Sequence, residues 1–373
     1  MVFDGNRKFV AVGLYDPGSP IRVRALTAGR PRAVDGAFWA ERVAAADARR
    51  AGLFEAAGPL RTDGYRRVNG ESDGFPGLVV DKYGDTQVVK AYTAAWLPHL
   101  GALLPELCPG GEGSRVVLRL SRNAQAAARE LCGAGDGDVV RGPPLGGDGE
   151  TALFSERGLR FEANVVRGQK TGFFLDQRDN RARVGELVRE AAAARGGATA
   201  LNCFSFSGGF SLYAARAGAS RVVSVDISRH ALESGERNFA LNRRVAGVAA
   251  CAHESVKADC FEFLGQCRDR FDVVVTDPPS MARRRGEAGG AARAYHRLAA
   301  LGAARTRPGG AYVAASCSAH VGTEDFVRAA LDGARAGAPG GRVQLEAVHE
   351  HAPDHPVAIP EMQYLKAATI RVF

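Results

Sequence analysis

Downstream of Asp176 the hydrophobic pattern switches between two periods. Short runs dense in Val, Ala and Ile at residues 199–204, 221–226, 248–253, 272–276, 311–316, 343–348 and 367–372 read as strands. Helical stretches separate them, for instance 228–242 with Ser228 as N-cap. Strand and helix in alternation predict a mostly parallel sheet. Between about residues 60 and 172 the pattern is instead β-rich, with strands at 65–68, 78–82, 86–91, 115–120 and 159–166 and a single helix at about 97–107. The glycine- and proline-rich stretch 133–150 reads as a loop. This middle part predicts a small α+β domain. Nearer the start, 8–15 and 21–26 read as two strands around an Asp16-Pro17-Gly18-Ser19-Pro20 turn, too few to bury a core by themselves. Asp35 then caps a helix from Gly36 to about residue 56, with Phe38, Val43 and Leu53 among its apolar positions.

Composition narrows the class. With 373 residues, 46% apolar and 24% charged, the chain suits two or three folded domains and excludes collagen, coiled coil and a disordered tail. No apolar run approaches the ~20 residues of a membrane span, and the first residues lack the pattern of a secretory signal. A cytoplasmic protein with no membrane partner is expected. The net charge of +8 comes from 49 basic residues against 41 acidic ones. Only six of the 49 are Lys, which together with the abundant Gly and Ala points to a GC-rich coding sequence. The charge alone therefore does not assign a nucleic-acid partner. Seven Cys, an odd number without a C-x-x-C pair, fit neither a disulfide framework nor a zinc knuckle. His349, His351, His355 and Asp354 match no zinc spacing, so no metal is expected.

The chemistry collects at the ends of the predicted strands. The 199–204 strand runs through Asn202 and Phe204 into Ser205-Phe206-Ser207-Gly208-Gly209 and a helix. Such a turn lets a ligand approach backbone N–H groups, yet it lacks the G-x-G-x-x-G of a pyrophosphate cradle. The next strand ends in Asp226, placed to accept both ribose hydroxyls of an adenosine. A nucleoside cofactor without pyrophosphate fits best, and S-adenosylmethionine is the expected one. Asp259 follows the third strand, either as a helix cap or as a partner for an adenine amino group. The fourth ends in Asp277-Pro278-Pro279-Ser280, a stiff exit that fixes acceptors where ligands of open α/β sheets bind. The fifth ends in Ser316-Cys317-Ser318, beside Asp277 by the strand count. A thiolate there can add to C6 of a pyrimidine and make C5 nucleophilic.

Gln169-Lys170-Thr171-Gly172-Phe173-Phe174-Leu175-Asp176-Gln177-Arg178, the 201–209 turn, Asp277 to Ser280, Ser316 to Ser318 and Asp354-His355-Pro356 occur in that order. Together with Glu71-Ser72-Asp73-Gly74-Phe75-Pro76-Gly77-Leu78 and Asp81, they resemble the bacterial large-subunit (23S) ribosomal RNA cytosine-C5 methyltransferases with an N-terminal PUA domain. The resemblance spans nearly the whole chain. It implies a class I methyltransferase α/β fold, Rossmann-like, with a seven-stranded sheet whose last strand is antiparallel. The implied domains are a PUA-like barrel remnant (1–30), a linker helix (31–58), a central α+β domain (59–175) and the methyltransferase domain (176–373). It further implies Cys317 as nucleophile on cytosine C6 and Asp277 at the base edge. Asn202, Phe204, Ser207, Gly208, Asp226, Asp259 and Gln177 would face S-adenosylmethionine. Lys170, Pro278, Arg283 and Arg284 would face the base or the RNA, the two Arg from a basic loop beside the site.

Two departures stand out. Only the last two strands of the PUA barrel are recognisable, so a truncated barrel is expected. Ser280 occupies the place where some RNA cytosine methyltransferases carry a second Cys, which leaves water or Asp277 to remove the C5 proton. The alternatives are a methyltransferase acting on a base nitrogen or a small molecule, with Cys317 structural, and a non-catalytic RNA-binding assembly factor. The target nucleotide and the oligomeric state, a homodimer among the options, stay open.

Overall fold

The computed structural model describes residues 1–55, 57–109, 114–282 and 284–373. The chain divides into two compact units, Met1–Asp176 with Pro353–Ala358, and Gln177–Ala352 with Ile359–Phe373.

The first unit opens with a three-stranded antiparallel sheet, Val2–Phe3, Phe9–Tyr15 and Val23–Ala28. The sequence pattern predicted two of these strands. The additional one exists because Asp4 Oδ1 accepts the N–H groups of Asn6 and Lys8 and Arg7 adopts φ 63°, folding the first residues back. Asp35 caps the Gly36–Arg50 helix through Phe38 N–H, as expected. The helix ends well before residue 56, which itself lies outside the described residues; Gly52 at φ 77° has already left helical space.

Five strands, Gly64–Asn69, Leu78–Tyr83, Thr86–Ala91, Arg115–Leu120 and Val139–Arg141, form the central sheet in that order. The last is a short edge strand inside the stretch predicted to be loop. A Thr151–Glu156 strand pairing with Leu159–Asn164 and an Arg122–Cys132 helix also went unpredicted. That helix buries Ala124 and Ala128, and alanines make a faint apolar stripe. Trp39, Phe75 and Trp96 pack ring against ring in the core of this unit. Asp354 of the 353–358 segment is fully buried and accepts Arg66 N–H at 2.8 Å, while its carbonyl accepts from Arg50.

The second unit is a seven-stranded sheet. Across it lie Ala252–Lys257, Ala219–Asp226, Ala198–Cys203, Phe271–Thr276, Thr306–Ser316, Lys366–Val372 and Val343–His349. The first five run parallel and Lys366–Val372 is antiparallel to both neighbours, the α/β methyltransferase arrangement that the resemblance implies. One strand is corrected. Ala246–Ala250 is helical, and the edge strand begins only at Ala252, because a short Ala- and Val-rich run satisfies either period. Helices Ala288–Ala304 and Thr323–Gly337 cover one region of the sheet at close range. A Cβ on Gly333 or Gly337 would lie 2.1 or 1.9 Å from the carbonyl oxygens of His296 and Ala300. The parallel register aligns Cys203, Thr276 and Ala314, so the strand exits collect along one edge. Among the described residues no helix is long and apolar enough to cross a membrane.

Candidate active site

Residues 204–208, which follow the central strand Ala198–Cys203, are held in an unusual conformation. Phe204, Phe206 and Gly208 have φ values of 59°, 46° and 76°, in the left-handed region. For a residue with a side chain this conformation costs about 1–3 kcal/mol and persists only where neighbours enforce it. Four backbone N–H groups are pinned here. Phe204 donates to Cys260 Sγ, Ser205 to Val225 O, Phe206 to Asp226 Oδ2 and Gly208 to Ser205 O. The chain then enters the Gly209–Arg216 helix. At Gly208 the backbone also approaches Gly235 of the Arg229–Leu241 helix, to 3.4 Å from the position a Cβ would take. Asn202 Nδ2 reaches Ser211 Oγ, which continues to Ser224 Oγ and His253 Nε2. Asn202 Oδ1, Ser205 Oγ and Ser207 Oγ are buried without a protein partner. Three such atoms at one strand exit are a natural place for a polar ligand, since buried polar groups otherwise pair.

Asp226 bridges the turn and the following helix. One carboxylate oxygen accepts Phe206 N–H at 2.9 Å and the other Ser228 N–H at 2.8 Å. Asp259 caps the Cys260–Gln266 helix with Oδ1 alone, accepting from Phe261 and Glu262. Both carboxylates sit at neighbouring strand exits, where the parallel register puts them.

The second cluster joins the fourth and fifth strands. Asp277 Oδ2 accepts from Gln177 Nε2 at 2.9 Å, and Asn180 Nδ2 holds the far side of that amide at 2.6 Å. Gln177 and Asn180 are both buried, so the carboxylate meets a fixed donor. Cys317 is half-buried, and its Sγ lies 3.8 Å from Pro278 O. Ser318 ties the two exits together. Its Oγ accepts the N–H groups of Met281 and Ala282 and bonds Ser280 Oγ and Tyr295 OH. Tyr295 OH also accepts from Ser316 Oγ at 2.8 Å, and burial pushes the phenol pKa up. Asp277, Pro278 and Cys317 thus form one polar cluster.

Of the remaining predicted residues, one belongs to the first unit, one is exposed in the second and one lies outside the described residues. Lys170 belongs to the first unit, where its Nζ pairs with Asp176 at 3.1 Å and lies over the Phe174 ring. Arg284 is exposed, next to the Arg285–Glu287 turn. Arg283 lies outside the described residues. His351 Nε2 accepts Leu365 N–H, and His355 sits beside Asp354 in the first unit. Reading the sequence missed Asn180, Tyr295, Ser318 and Lys366 as parts of the cluster's framework. Lys366 carried a signal. It is one of only six lysines in an arginine-dominated chain and opens a strand of mostly apolar residues.

The profile of the S-adenosylmethionine-dependent methyltransferase family matches residues 138–367. A ribosomal RNA large subunit methyltransferase of Deinococcus radiodurans is 52% identical over 380 residues, covering 100% of this chain and 88% of that protein. Ribosomal RNA large subunit methyltransferase I of Shewanella denitrificans is 34% identical over 379 residues, covering 98% and 88%. Among solved structures, a methyltransferase complexed with SAH superposes with a TM-score of 0.78 at 22% identity, covering 99% of this chain and 90% of the other, which is a likeness of fold.

Proposed function

The chain belongs to the ribosomal RNA large subunit methyltransferase family of S-adenosylmethionine-dependent enzymes, and from that premise we propose that it forms 5-methylcytosine in 23S ribosomal RNA, in the cytoplasm, with Cys317 as nucleophile. The observation that carries this reading is the position of Cys317. It stands at the exit of the fifth strand with its Sγ against Pro278 O, the residue that follows Asp277 in the chain. A methyltransferase acting on a base nitrogen has no use for a thiol there, whereas cytosine C5 needs one, because C5 is a poor nucleophile until a group adds to C6.

The residues present suit S-adenosylmethionine. The orphaned oxygens of Asn202, Ser205 and Ser207, with the backbone of Phe204 and Gly208, would take its amino-acid part. Asp226 would take the ribose hydroxyls, and Asp259, with one oxygen left after capping, the adenine. Gln177 would stand between cofactor and Asp277. When bound, the cofactor supplies an electrophilic methyl group. The protein's part is to orient cytosine against Asp277 and Pro278 and to add the Cys317 thiolate to C6, forming the S–C6 bond and shifting the ring electrons to C5. After C5 is methylated, its proton passes to water or to the Asp277 carboxylate, and the C5–H electron pair returns to the ring and expels the thiolate. Lys170, Arg283 and Arg284 are assigned to RNA contact, and residues 1–30 to a partial PUA-like barrel remnant ahead of a 31–58 linker helix and a 59–175 central domain.

The test is transfer of labelled methyl to ribosomal RNA from a strain lacking this gene, with wild type and Cys317→Ala compared and the product nucleosides identified. 5-Methylcytidine from wild type alone is expected. Equal labelling by both proteins removes the covalent mechanism. A methylated base nitrogen replaces the substrate assignment.

A further inference from the structure

Lys366 is among the largest side chains fully buried in this protein, at 1% exposure, and among the described residues no carboxylate pairs with it. It opens the Lys366–Val372 strand directly opposite Ser316, the residue before Cys317. Its Nζ donates to the carbonyls of Ser318 at 2.7 Å and Val321 at 2.6 Å, both in the loop that Cys317 begins. An ammonium removed from water costs several kcal/mol, and two neutral carbonyls offset only part of that. A strand of this composition would be more stable with an apolar residue in this place, so the charge calls for a partner.

The surrounding ionisable groups identify one. From the Ala288–Ala304 helix comes Tyr295, neutral and bonded to Ser316 and Ser318. Asp277, at the adjoining strand exit, accepts from the Gln177 amide. His351 faces the chain at Leu365 and binds its amide. Arg371, further along the same strand, is neutralised by Glu346. His320 is exposed. Cys317 remains. Burial pulls the lysine down to about 8, and the charge of Cys317 is what opposes that pull. Such coupling is reciprocal, so a thiolate that favours the ammonium is favoured by it equally.

We propose that Lys366 is a positioning residue for Cys317, whose buried ammonium clamps residues 318–321 through two carbonyls and provides the counter-charge that keeps the sulfur ionised. Its catalytic meaning rests on Cys317 being the nucleophile; the ionisation of the thiol does not.

The experiment is alkylation of the full-length protein by iodoacetamide across about pH 5.5 to 9.5, with the Cys317 peptide quantified by mass spectrometry. In wild type the half-maximal rate is expected at least one pH unit below the ~8.5 of an ordinary thiol. In Lys366→Met and Lys366→Gln it should move up by a unit or more, a tenfold loss of thiolate at neutral pH, while the exposed Cys132 stays unchanged as internal control. A wild-type midpoint at or above the ordinary value overturns the proposal. So does an unmoved midpoint in a variant whose near-ultraviolet circular dichroism is native. Should both variants unfold, the wild-type midpoint decides alone. The nucleophile assignment fails separately, through methylation by Cys317→Ala, and that result leaves the thiol titration as it was.

Discussion

Asp226→Asn isolates what the second strand exit does. The carboxylate now accepts two backbone N–H groups, Phe206 and Ser228, at 2.9 and 2.8 Å. An amide of the same size has one acceptor oxygen, so one of these N–H groups would face an NH2 donor. A lost bond to a charged acceptor is worth about 1.5–3 kcal/mol, and the partial exposure of Asp226 favours the lower end. The bond at risk restrains Phe206 at φ 46°, a conformation with little intrinsic stability. Losing about 1.5 kcal/mol of that restraint lowers the ordered fraction of the turn, and any bond from the carboxylate to ribose is lost as well. At 1.4 kcal/mol per factor of ten, the dissociation constant for S-adenosylhomocysteine should rise at least tenfold. The melting temperature should fall by about 3–6 °C, at 2–4 °C per kcal/mol for a unit of this size. Titration calorimetry and a thermal melt on the same sample read both. Unchanged affinity with a lowered melting temperature would show that Asp226 braces the turn without touching the cofactor. No change in either would refute the account of the turn.

Three further outcomes follow from the geometry. Tyr295→Phe keeps the ring against Phe326 but leaves Ser316 Oγ–H without its acceptor, and should lower stability by about 1–3 kcal/mol in a urea titration. Gly337→Ala forces a Cβ to within 1.9 Å of Ala300 O, so the Ala288–Ala304 and Thr323–Gly337 helices must separate, at about 1–3 kcal/mol; an unchanged urea midpoint would contradict that close packing. His253, stacked on Phe239 at 3.7 Å, has its pKa pushed down by burial to about 4. The unfolded chain therefore binds more protons between about pH 6.5 and 4, and wild type should lose stability as pH falls through that window, by about 3 kcal/mol at most. Urea midpoints for wild type and His253→Gln should converge at the acid end.

Much of the second unit was legible because its elements announce themselves locally. Valine runs stopped by Asp277-Pro278-Pro279 or Asp226, and a helix capped by Ser228, follow from propensity, period and the missing amide hydrogens of proline. The helix Arg122–Cys132 was missed, and the edge strand Ala252–Lys257 was placed four residues early, for the converse reason: alanine-rich and mixed segments satisfy more than one period, and packing selects among them. Candidate residues could be named one at a time, since each stands beside a recognisable strand exit.

Their assembly could not. Sequence order and strand ends place Asp277 and Cys317 on one edge, but pairing decides which side chains finish the site. Asn180 comes from the helix ahead of the first strand, Tyr295 from the helix between the fourth and fifth, and Lys366 from the antiparallel strand beside them. Hydrogen bonds across 38 to 100 residues of chain, such as Ser280 to Ser318 and Gln177 to Asp277, have no local signature. Local chemistry set the elements and the reactive groups. The partners of those groups were set by burial and long-range contact, which exist only once the sheet is closed.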